Sequence, residues 1–116
     1  MTLVLRGGVP SKKNSYRRSA GGGMHRPANV KALIDSLVLQ ARNQWQGKPP
    51  LEGALVRMGF VVKDGASDLD NKLTTMLDCL VTAGVLRNDS IKRVWCFSAT
   101  AVINPDAEES VTVTLE

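Results

Sequence analysis

The fold of this chain is decided by the nine residues Ala54-Leu55-Val56-Arg57-Met58-Gly59-Phe60-Val61-Val62. Every second residue from Ala54 to Val62 is apolar, which is the period of a β-strand that buries one face. The residues between them are mostly apolar as well, so the second face is expected to be covered in part. The stretch therefore predicts a long strand in the centre of a sheet.

Two stretches with apolar residues three and four positions apart flank this strand and predict two helices. The first runs from about Ala28 to Gln46, and Gly47 ends it. Its apolar face consists of Val30, Leu33, Ile34, Leu37, Val38, Ala41 and Trp45. The second runs from about Asp70 to Ala83, and Gly84 closes it. Its apolar face consists of Leu69, Leu73, Met76, Leu77 and Leu80.

Three further stretches have the composition of strands. They cover residues 2–6, 94–102 and 111–115. The turn sequence Asn104-Pro105-Asp106 separates the last two, which predicts that they form a hairpin. The element order β-α-β-α-β-β predicts an α/β (α+β) fold: one domain over residues 1–116, in which two helices pack on a mixed four-stranded sheet.

The composition is that of a globular protein. A chain of 116 residues, 43% hydrophobic and 22% charged, is long enough to bury a core without disulfides or a structural metal. No apolar run approaches the roughly 20 residues of a membrane helix, and the N-terminal segment lacks the apolar centre of a signal peptide. Cys79 and Cys96 have no metal-binding spacing and are expected to be small buried thiols. These features predict a cytoplasmic protein that does not enter the membrane.

The positive charge is concentrated near the N-terminus. The net charge is +4, but residues 1–34 carry seven basic residues and no acidic one. Residues from about 8 to 27 lack apolar periodicity and contain Gly21-Gly22-Gly23, which predicts a mobile basic loop. Such a cluster attracts phosphates and makes a nucleic acid the first partner to consider; a solvated loop that aids solubility is the alternative. The residues expected to contact DNA are Lys12, Lys13, Tyr16, Arg17, Arg18 and Arg26.

An acidic cluster contrasts with this basic segment. Five of the eleven acidic residues fall between Asp64 and Asp89. Asp68 and Asp70 lie where a turn enters the second helix, and an extended Asp-x-Asp sequence points two carboxylates the same way. Asp89 lies in the turn before the next strand, so the three carboxylates can meet at one edge if the two strands are neighbours. Carboxylates so placed repel one another without a cation and suit Mg²⁺ or Mn²⁺, which activate phosphodiesters for hydrolysis.

A structural role for the same residues is the alternative. Aspartate is favoured at the N-cap and in the first turn of a helix, and Asn88-Asp89 suits a turn. A calcium-binding EF-hand is excluded by spacing, because its twelfth position, counted from Asp68, holds Cys79 where a glutamate is needed.

Several short motifs of the acidic segment resemble the core motif of the RusA-type Holliday junction resolvases. They are Asp68-Leu69-Asp70-Asn71, Leu77-Asp78-Cys79-Leu80, Gly84-Val85-Leu86 and Asn88-Asp89-Ser90-Ile91. The opening Gly8-Val9-Pro10-Ser11-Lys12-Lys13-Asn14 is similar to the N-terminal Gly-x-Pro and basic segment of that family. The specific part of the resemblance runs from Asp68 to Ile91, and the rest of the chain agrees in length and element order.

The resemblance implies a small homodimeric endonuclease that binds four-way DNA junctions and nicks two strands symmetrically. It implies that Asp68, Asp70 and Asp89 bind Mg²⁺, or Mn²⁺ in its place, and are catalytic. A supporting role is expected for Asp78, Asn71 and Lys72.

One position departs from the family motif. The motif has a catalytic lysine four residues after the second aspartate, where this chain has Thr74. Lys72 projects about 200° away from Asp70 on a helix, so it is poorly placed to replace that lysine. The other candidates are Lys12, Lys13 and Lys63. Two alternatives therefore stay open: a weakened or inactive junction-binding relative, and a non-enzymatic interaction module whose aspartates serve caps and turns.

The remaining candidates are expected to have structural roles. His25 is a lone histidine in a glycine-rich loop and is expected to be solvated. Trp45, Trp95 and Phe97 suit the core or a dimer surface better than stacking on bases.

Overall fold

The computed structural model describes residues 1–10, 17–18, 24–25, 28–65, 68–88 and 94–116. In chain order the elements are β1 (Thr2–Arg6), β2 (Arg17–Arg18), β3 (Met24–His25), α1 (Ala28–Trp45), β4 (Ala54–Val62), α2 (Leu69–Thr82), β5 (Val94–Ile103) and β6 (Ser110–Leu115). The predicted fold of two helices on a mixed four-stranded sheet is confirmed, and its element bounds agree within one residue. The short strands β2 and β3 pair with each other outside this sheet.

The strand order in the sheet is β1-β6-β4-β5. β4 is central, as predicted, and lies parallel to β5 and antiparallel to β6. Because β1 is antiparallel to β6, it runs parallel to β4. The predicted hairpin of β5 and β6 is wrong, since β6 crosses to the far side of β4 and fills the position between β4 and β1. Alternation identifies a strand but not its neighbours, and the connection from β1 through α1 to β4 leaves that position open.

Both helices cover the same face of the sheet. α1 contacts β1 and α2, and α2 also contacts β5. β1, β4 and β6 bury alternate residues against the helices and leave the other face more exposed. The largest fully buried side chains include Leu3, Leu5, Leu37, Val56, Phe60, Met76, Leu80, Val111 and Val113. Most residues of the predicted helix faces are buried in this core, whereas Val30, Ile34 and Leu69 are partly buried and Leu33 is exposed.

Two side chains of α1 close the outer edge of β1. Gln44 accepts a hydrogen bond from Val4 N over 2.9 Å and donates one to Val4 O over 2.7 Å. Gln40 makes the same pair of bonds with Arg6 N and Arg6 O, both over 2.8 Å. A side-chain amide has one acceptor and two donors, so it satisfies an outward-facing backbone N–H and C=O as a neighbouring strand would.

The two cysteines differ in exposure. Cys79 is buried in α2 as expected, but Cys96 is exposed, which contradicts the expectation for it. The reason is the position of β5 at the edge of the sheet, where strand residues keep solvent contact that a central strand would lose.

Candidate functional site

One end of the sheet collects several segments with candidate functional residues. β1, β4 and β5 run parallel and end there at Arg6, Val62 and Ile103, and α2 begins beside them at Leu69. In open α/β sheets, ligands bind beyond the C-terminal ends of the parallel strands. We call this region the acidic end of the sheet; its carboxylates belong to Asp64, Asp68, Asp70 and Glu109.

Asp68 occupies the N-cap position of α2 without capping the helix. Its backbone is extended, with φ −75° and ψ 133°, but its side chain makes no capping hydrogen bond. Instead, Asn71 Nδ2 donates a hydrogen bond to Asp68 Oδ2 over 3.4 Å. An N-cap aspartate stabilises a helix through the missing bond, so capping does not account for this carboxylate. Asp68 is exposed and therefore accessible to a ligand.

Asp70 lies in the first turn of α2 and is also exposed. Because α2 begins at Leu69, Asp70 already has a helical backbone. The expected extended Asp-x-Asp geometry is therefore wrong. Asp68 and Asp70 do not point the same way as alternate residues of a strand would. They lie instead within one turn at a helix N-terminus, where the helix dipole stabilises negative charge.

Thr74, at the position of the family's lysine, bonds to its own helix. Its Oγ1 donates a hydrogen bond to Asp70 O over 2.9 Å. The residue therefore brings no cation to the acidic end, and its hydroxyl is engaged with the backbone.

Lys72 connects α2 to the N-terminal motif. The residue is 8% exposed, and its Nζ donates a hydrogen bond to Val9 O over 2.6 Å. This places its ammonium on the inner side of α2, away from the exposed Asp70, in agreement with the spacing argument. A buried ammonium is unfavourable unless it is hydrogen-bonded, so this bond holds the Val9 segment against α2. Two motifs that are 63 residues apart in the chain thus meet at the acidic end.

Glu109 is a residue of the acidic end that the sequence analysis missed. Its backbone O accepts a hydrogen bond from Gly7 N over 2.8 Å, and its Oε2 accepts one from Lys63 N over 3.4 Å. A Cβ atom on Gly8 would lie 3.1 Å from Glu109 Oε1. Glycine at position 8 therefore lets the N-terminal motif approach this carboxylate. The one sequence signal was the acidic character of the C-terminal residues, which does not single out Glu109.

A small cavity opens between α2 and the ends of β4 and β5. Its volume is about 120 Å³, well below the roughly 300 Å³ of the smallest sites for organic ligands. Its lining residues are Val62, Asp64, Gly65, Leu69, Lys72, Ala101 and Ile103. The cavity therefore has no room for a nucleotide.

Asp78 lies apart from the acidic end. It follows Asp70 by eight residues on α2, which corresponds to about 12 Å along the helix axis. It lines a groove of about 430 Å³ between α1 and α2, together with Asp35 and Arg42. Arg42 Nη2 donates a hydrogen bond across this groove to Thr82 O over 3.2 Å. The structure therefore associates Asp78 with the packing of the two helices.

Several predicted site residues lie outside the described residues. These are Lys12, Lys13, Tyr16, Arg26 and Asp89. Arg17 and Arg18 are described through their backbone, which forms β2.

The described residues on either side of Asp89 lie at the other end of the sheet. Arg87 N donates a hydrogen bond to Leu51 O over 3.3 Å, and Val94 pairs with Ala54 at the start of β4. β4 and β5 are neighbours as expected, but they are parallel, so α2 carries the chain back to the start of β4. The nine residues of β4 make the two ends of the sheet roughly 26 Å apart. The pairing of β4 with β5 therefore does not place the start of β5 close to Asp68, contrary to the expectation from the sequence.

Two carboxylates of the acidic end are suitable metal ligands. Within the described residues, no group of three or more His, Cys, Asp or Glu side chains is arranged to hold a metal ion. Mg²⁺ keeps several of its waters and is commonly bound by one or two carboxylates together with substrate phosphates. Asp68 and Asp70 fit that mode of binding.

Comparisons with models of protein families and with curated protein sequences find no match to this chain. The resemblance to the RusA-type resolvases therefore rests on its motif residues. No helix among the described residues has the length and apolar character needed to cross a membrane.

Proposed function

We propose that this chain is a Mg²⁺-dependent endodeoxyribonuclease that binds four-way DNA junctions as a homodimer and resolves them by paired symmetric nicks. The observation that carries the proposal is the hydrogen bond from Lys72 Nζ to Val9 O. It joins the two segments that resemble the RusA-type family, residues 8–10 and residues 68–71, at one place. Such convergence is expected if both segments belong to one site. We assign the protein to DNA recombination and repair in the cytoplasm.

Asp68 and Asp70 are the proposed metal ligands of the described chain. Both are exposed, and neither forms an ion pair with a described residue. Mg²⁺ or Mn²⁺ bound there would polarise a phosphodiester and activate water for in-line attack. Asp89 matches the motif as a third ligand, but its described neighbours lie at the other end of the sheet, so within one chain the proposed metal site rests on Asp68 and Asp70.

The basic segment is the proposed grip on DNA. It begins directly after Pro10, next to the Val9 carbonyl that Lys72 holds, so the chain enters it from the acidic end. Lys12, Lys13 and the arginines that follow would bind backbone phosphates, which gives affinity and salt dependence without sequence preference.

A catalytically weakened junction-binding relative is the second candidate, and two contacts favour it. Thr74 replaces the motif's lysine and is bonded to Asp70 O, while Lys72 is bonded to Val9 O. No described lysine therefore takes the place of the missing cation on α2. In this case Thr74→Lys would raise the rate of cleavage by about ten-fold or more, because one positive charge at the transition state contributes that much.

The test compares nicking of a synthetic four-way junction, with and without Mg²⁺, by the wild-type protein, Asp70→Asn and Glu52→Gln. Glu52 lies at the other end of the sheet and serves as a matched carboxylate control. We expect Asp70→Asn to cleave about a hundred-fold more slowly and Glu52→Gln to cleave normally.

Each other outcome removes one part of the proposal. Equal nicking by Asp70→Asn would exclude the site, and no nicking by the wild type with either Mg²⁺ or Mn²⁺ would exclude the nuclease. Tight junction binding without nicks would leave the weakened relative. Junction binding whose affinity depends neither on salt nor on Mg²⁺ would instead support a non-enzymatic interaction module.

A further inference from the structure

The chain that leads from β1 into the basic segment is held at two points at the acidic end. We call these residues, 7–10, the stem of the basic segment. Gly7 N donates a hydrogen bond to Glu109 O over 2.8 Å, and Val9 O accepts one from Lys72 Nζ over 2.6 Å. Val9 itself is buried, with 4% exposure. The stem is therefore fixed on one side to the residue that precedes β6 and on the other side to α2.

Two glycines let the stem follow this course. Gly7 has a φ of +112°, a backbone conformation that residues with a side chain rarely adopt, and it lies where the chain leaves β1. A Cβ atom on Gly8 would lie 3.1 Å from Glu109 Oε1, so glycine is needed for the stem to lie against this carboxylate without displacing it. The side chain of Glu109 is thus placed beside the stem, between its two anchored residues.

The Glu109 carboxylate is itself anchored to the central strand. The residue is half-buried, and its Oε2 accepts a hydrogen bond from Lys63 N over 3.4 Å. Lys63 directly follows β4. The same end of β4 is tied to the chain that follows β5, because Asn104 N donates a hydrogen bond to Val62 O over 2.8 Å. One carboxylate therefore lies between the stem and the end of the central strand.

We propose that Glu109 is a positioning residue of the metal site, whose carboxylate sets the place and direction in which the basic segment leaves the acidic end. The inference rests on the proposed function, since it assigns Glu109 to the same site. Glu109 does not join Asp68 and Asp70 as a third ligand, because no group of three or more acidic, histidine or cysteine side chains among the described residues is arranged to hold a metal ion. It does not bind DNA either, since a carboxylate repels phosphates. Its contribution to the site is geometric.

Geometry matters here because the basic segment and the metal act on the same DNA. The segment binds phosphates, while Asp68 and Asp70 hold the metal that activates one phosphodiester. Reacting groups must be closely aligned, and a displacement of about 1 Å is enough to slow a reaction about a hundred-fold. Replacing Glu109 leaves every charge of the basic segment in place. We therefore expect the affinity for a junction to be retained and the cleavage of the bound junction to slow.

The first experiment measures binding and cleavage of a synthetic four-way junction separately, for the wild type, Glu109→Ala, Glu109→Gln and Glu108→Ala. Affinity is measured without Mg²⁺, and the cleavage rate after Mg²⁺ is added to junction saturated with protein. We expect Glu109→Ala to cleave about ten-fold more slowly at unchanged affinity. Glutamine also offers an acceptor to Lys63 N, so Glu109→Gln should keep most of the wild-type rate. Glu108, the exposed neighbouring carboxylate, is the matched control, and Glu108→Ala should behave as the wild type.

Three results would overturn the assignment while the wild type cleaves. The first is a wild-type rate in Glu109→Ala, and the second is a loss of its affinity without slower cleavage. The third is a Glu109→Gln variant as slow as Glu109→Ala, because a residue that binds metal or takes up a proton needs the charge that glutamine lacks. A wild type that does not cleave would remove the proposed function instead.

The second experiment tests the contacts of Glu109 without DNA, by amide hydrogen exchange in NMR spectra that also show whether each variant is folded. In Glu109→Ala the Lys63 amide loses its acceptor and should exchange about ten-fold faster, and the Gly7 amide at the base of the stem should also exchange faster. In Glu109→Gln and Glu108→Ala both amides should exchange as in the wild type. Unchanged exchange of both amides in Glu109→Ala would overturn the proposal, whether or not the wild type cleaves.

Discussion

At the end of the sheet opposite the acidic end, charged side chains are paired with one another. Arg87 Nε lies 3.0 Å from Glu52 Oε1, and Arg57 Nη1 lies 3.8 Å from Glu116 Oε1. Glu116 and Leu55 also exchange two backbone hydrogen bonds of 2.9 and 3.0 Å. Every one of these charges has a partner within the protein.

The acidic end uses its charges in another way. Asp68 and Asp70 are exposed and form no ion pair with a described residue, while the nearby Lys72 bonds to a backbone carbonyl. Asp68 and Asp70 are therefore exposed and without an ion pair to a described residue, as the proposed metal site requires.

We expect the two ends to differ most in how much stability is lost when one basic residue at each end is replaced. Lys72→Met leaves the buried Val9 carbonyl without its donor, which we expect to lower the free energy of unfolding by about 2 kcal/mol. Arg87→Met removes an exposed ion pair and should cost less than about 0.5 kcal/mol. Urea unfolding at one fixed protein concentration measures both, and equal losses would contradict the proposed difference.

The second largest effect is expected from Mg²⁺, which should stabilise the native protein by binding at the acidic end. A ligand at ten times its dissociation constant adds about 1.4 kcal/mol to the stability of the native state. Thermal unfolding should therefore shift upward with Mg²⁺ for the wild type and for Glu52→Gln, but not for Asp70→Asn. A shift of the same size in all three proteins would place the metal elsewhere.

A smaller effect is expected from Gly8→Ala. The new methyl would lie 3.1 Å from Glu109 Oε1 and displace the end of that side chain, at a cost of about 0.5 kcal/mol. Glu109→Ala should remove most of this penalty, since the contact then disappears. A double-mutant cycle from urea unfolding measures the coupling, and additive effects would show that the two residues do not interact.

The smallest effect is expected from Glu52→Gln. Its ion pair with Arg87 is more than half exposed on both sides, so we expect a loss below about 0.5 kcal/mol. Because salt screens such pairs, the loss should vanish at about 0.5 M NaCl. A loss that persists in salt would mean that Glu52 stabilises the protein in some other way.

Much of the fold could be predicted from local sequence. The alternation of Ala54 to Val62 and the apolar stripe from Leu69 to Leu80 identify a strand and a helix, because each element buries one face with its own period. The same pattern predicts that Asp68 and Asp70 lie at the start of α2, although the extended geometry expected for the pair is wrong. Lys72 was also predicted to project away from Asp70, since the angle between residues of a helix is fixed by its geometry.

Other features of the site could not be predicted because they depend on which strands are neighbours. Glu109 reaches Gly7, Gly8 and Lys63 since β6 starts at the acidic end, in a position between β4 and β1 that its own pattern does not specify. The turn before β5 begins far from Asp68 because β4 and β5 are parallel.

The sequence by itself determined the two helices, the four strands of the main sheet, their order and the two motifs, since the periods and turn residues that define them are local; the short strands β2 and β3 lie in the segment predicted as a loop. Tertiary structure alone decided that β6 lies between β1 and β4, that Cys96 and Phe97 are exposed on an edge, and that Lys72 holds Val9. All three features depend on how segments distant in the chain pack together. That packing is selected by the burial of one shared core, which no short sequence pattern encodes.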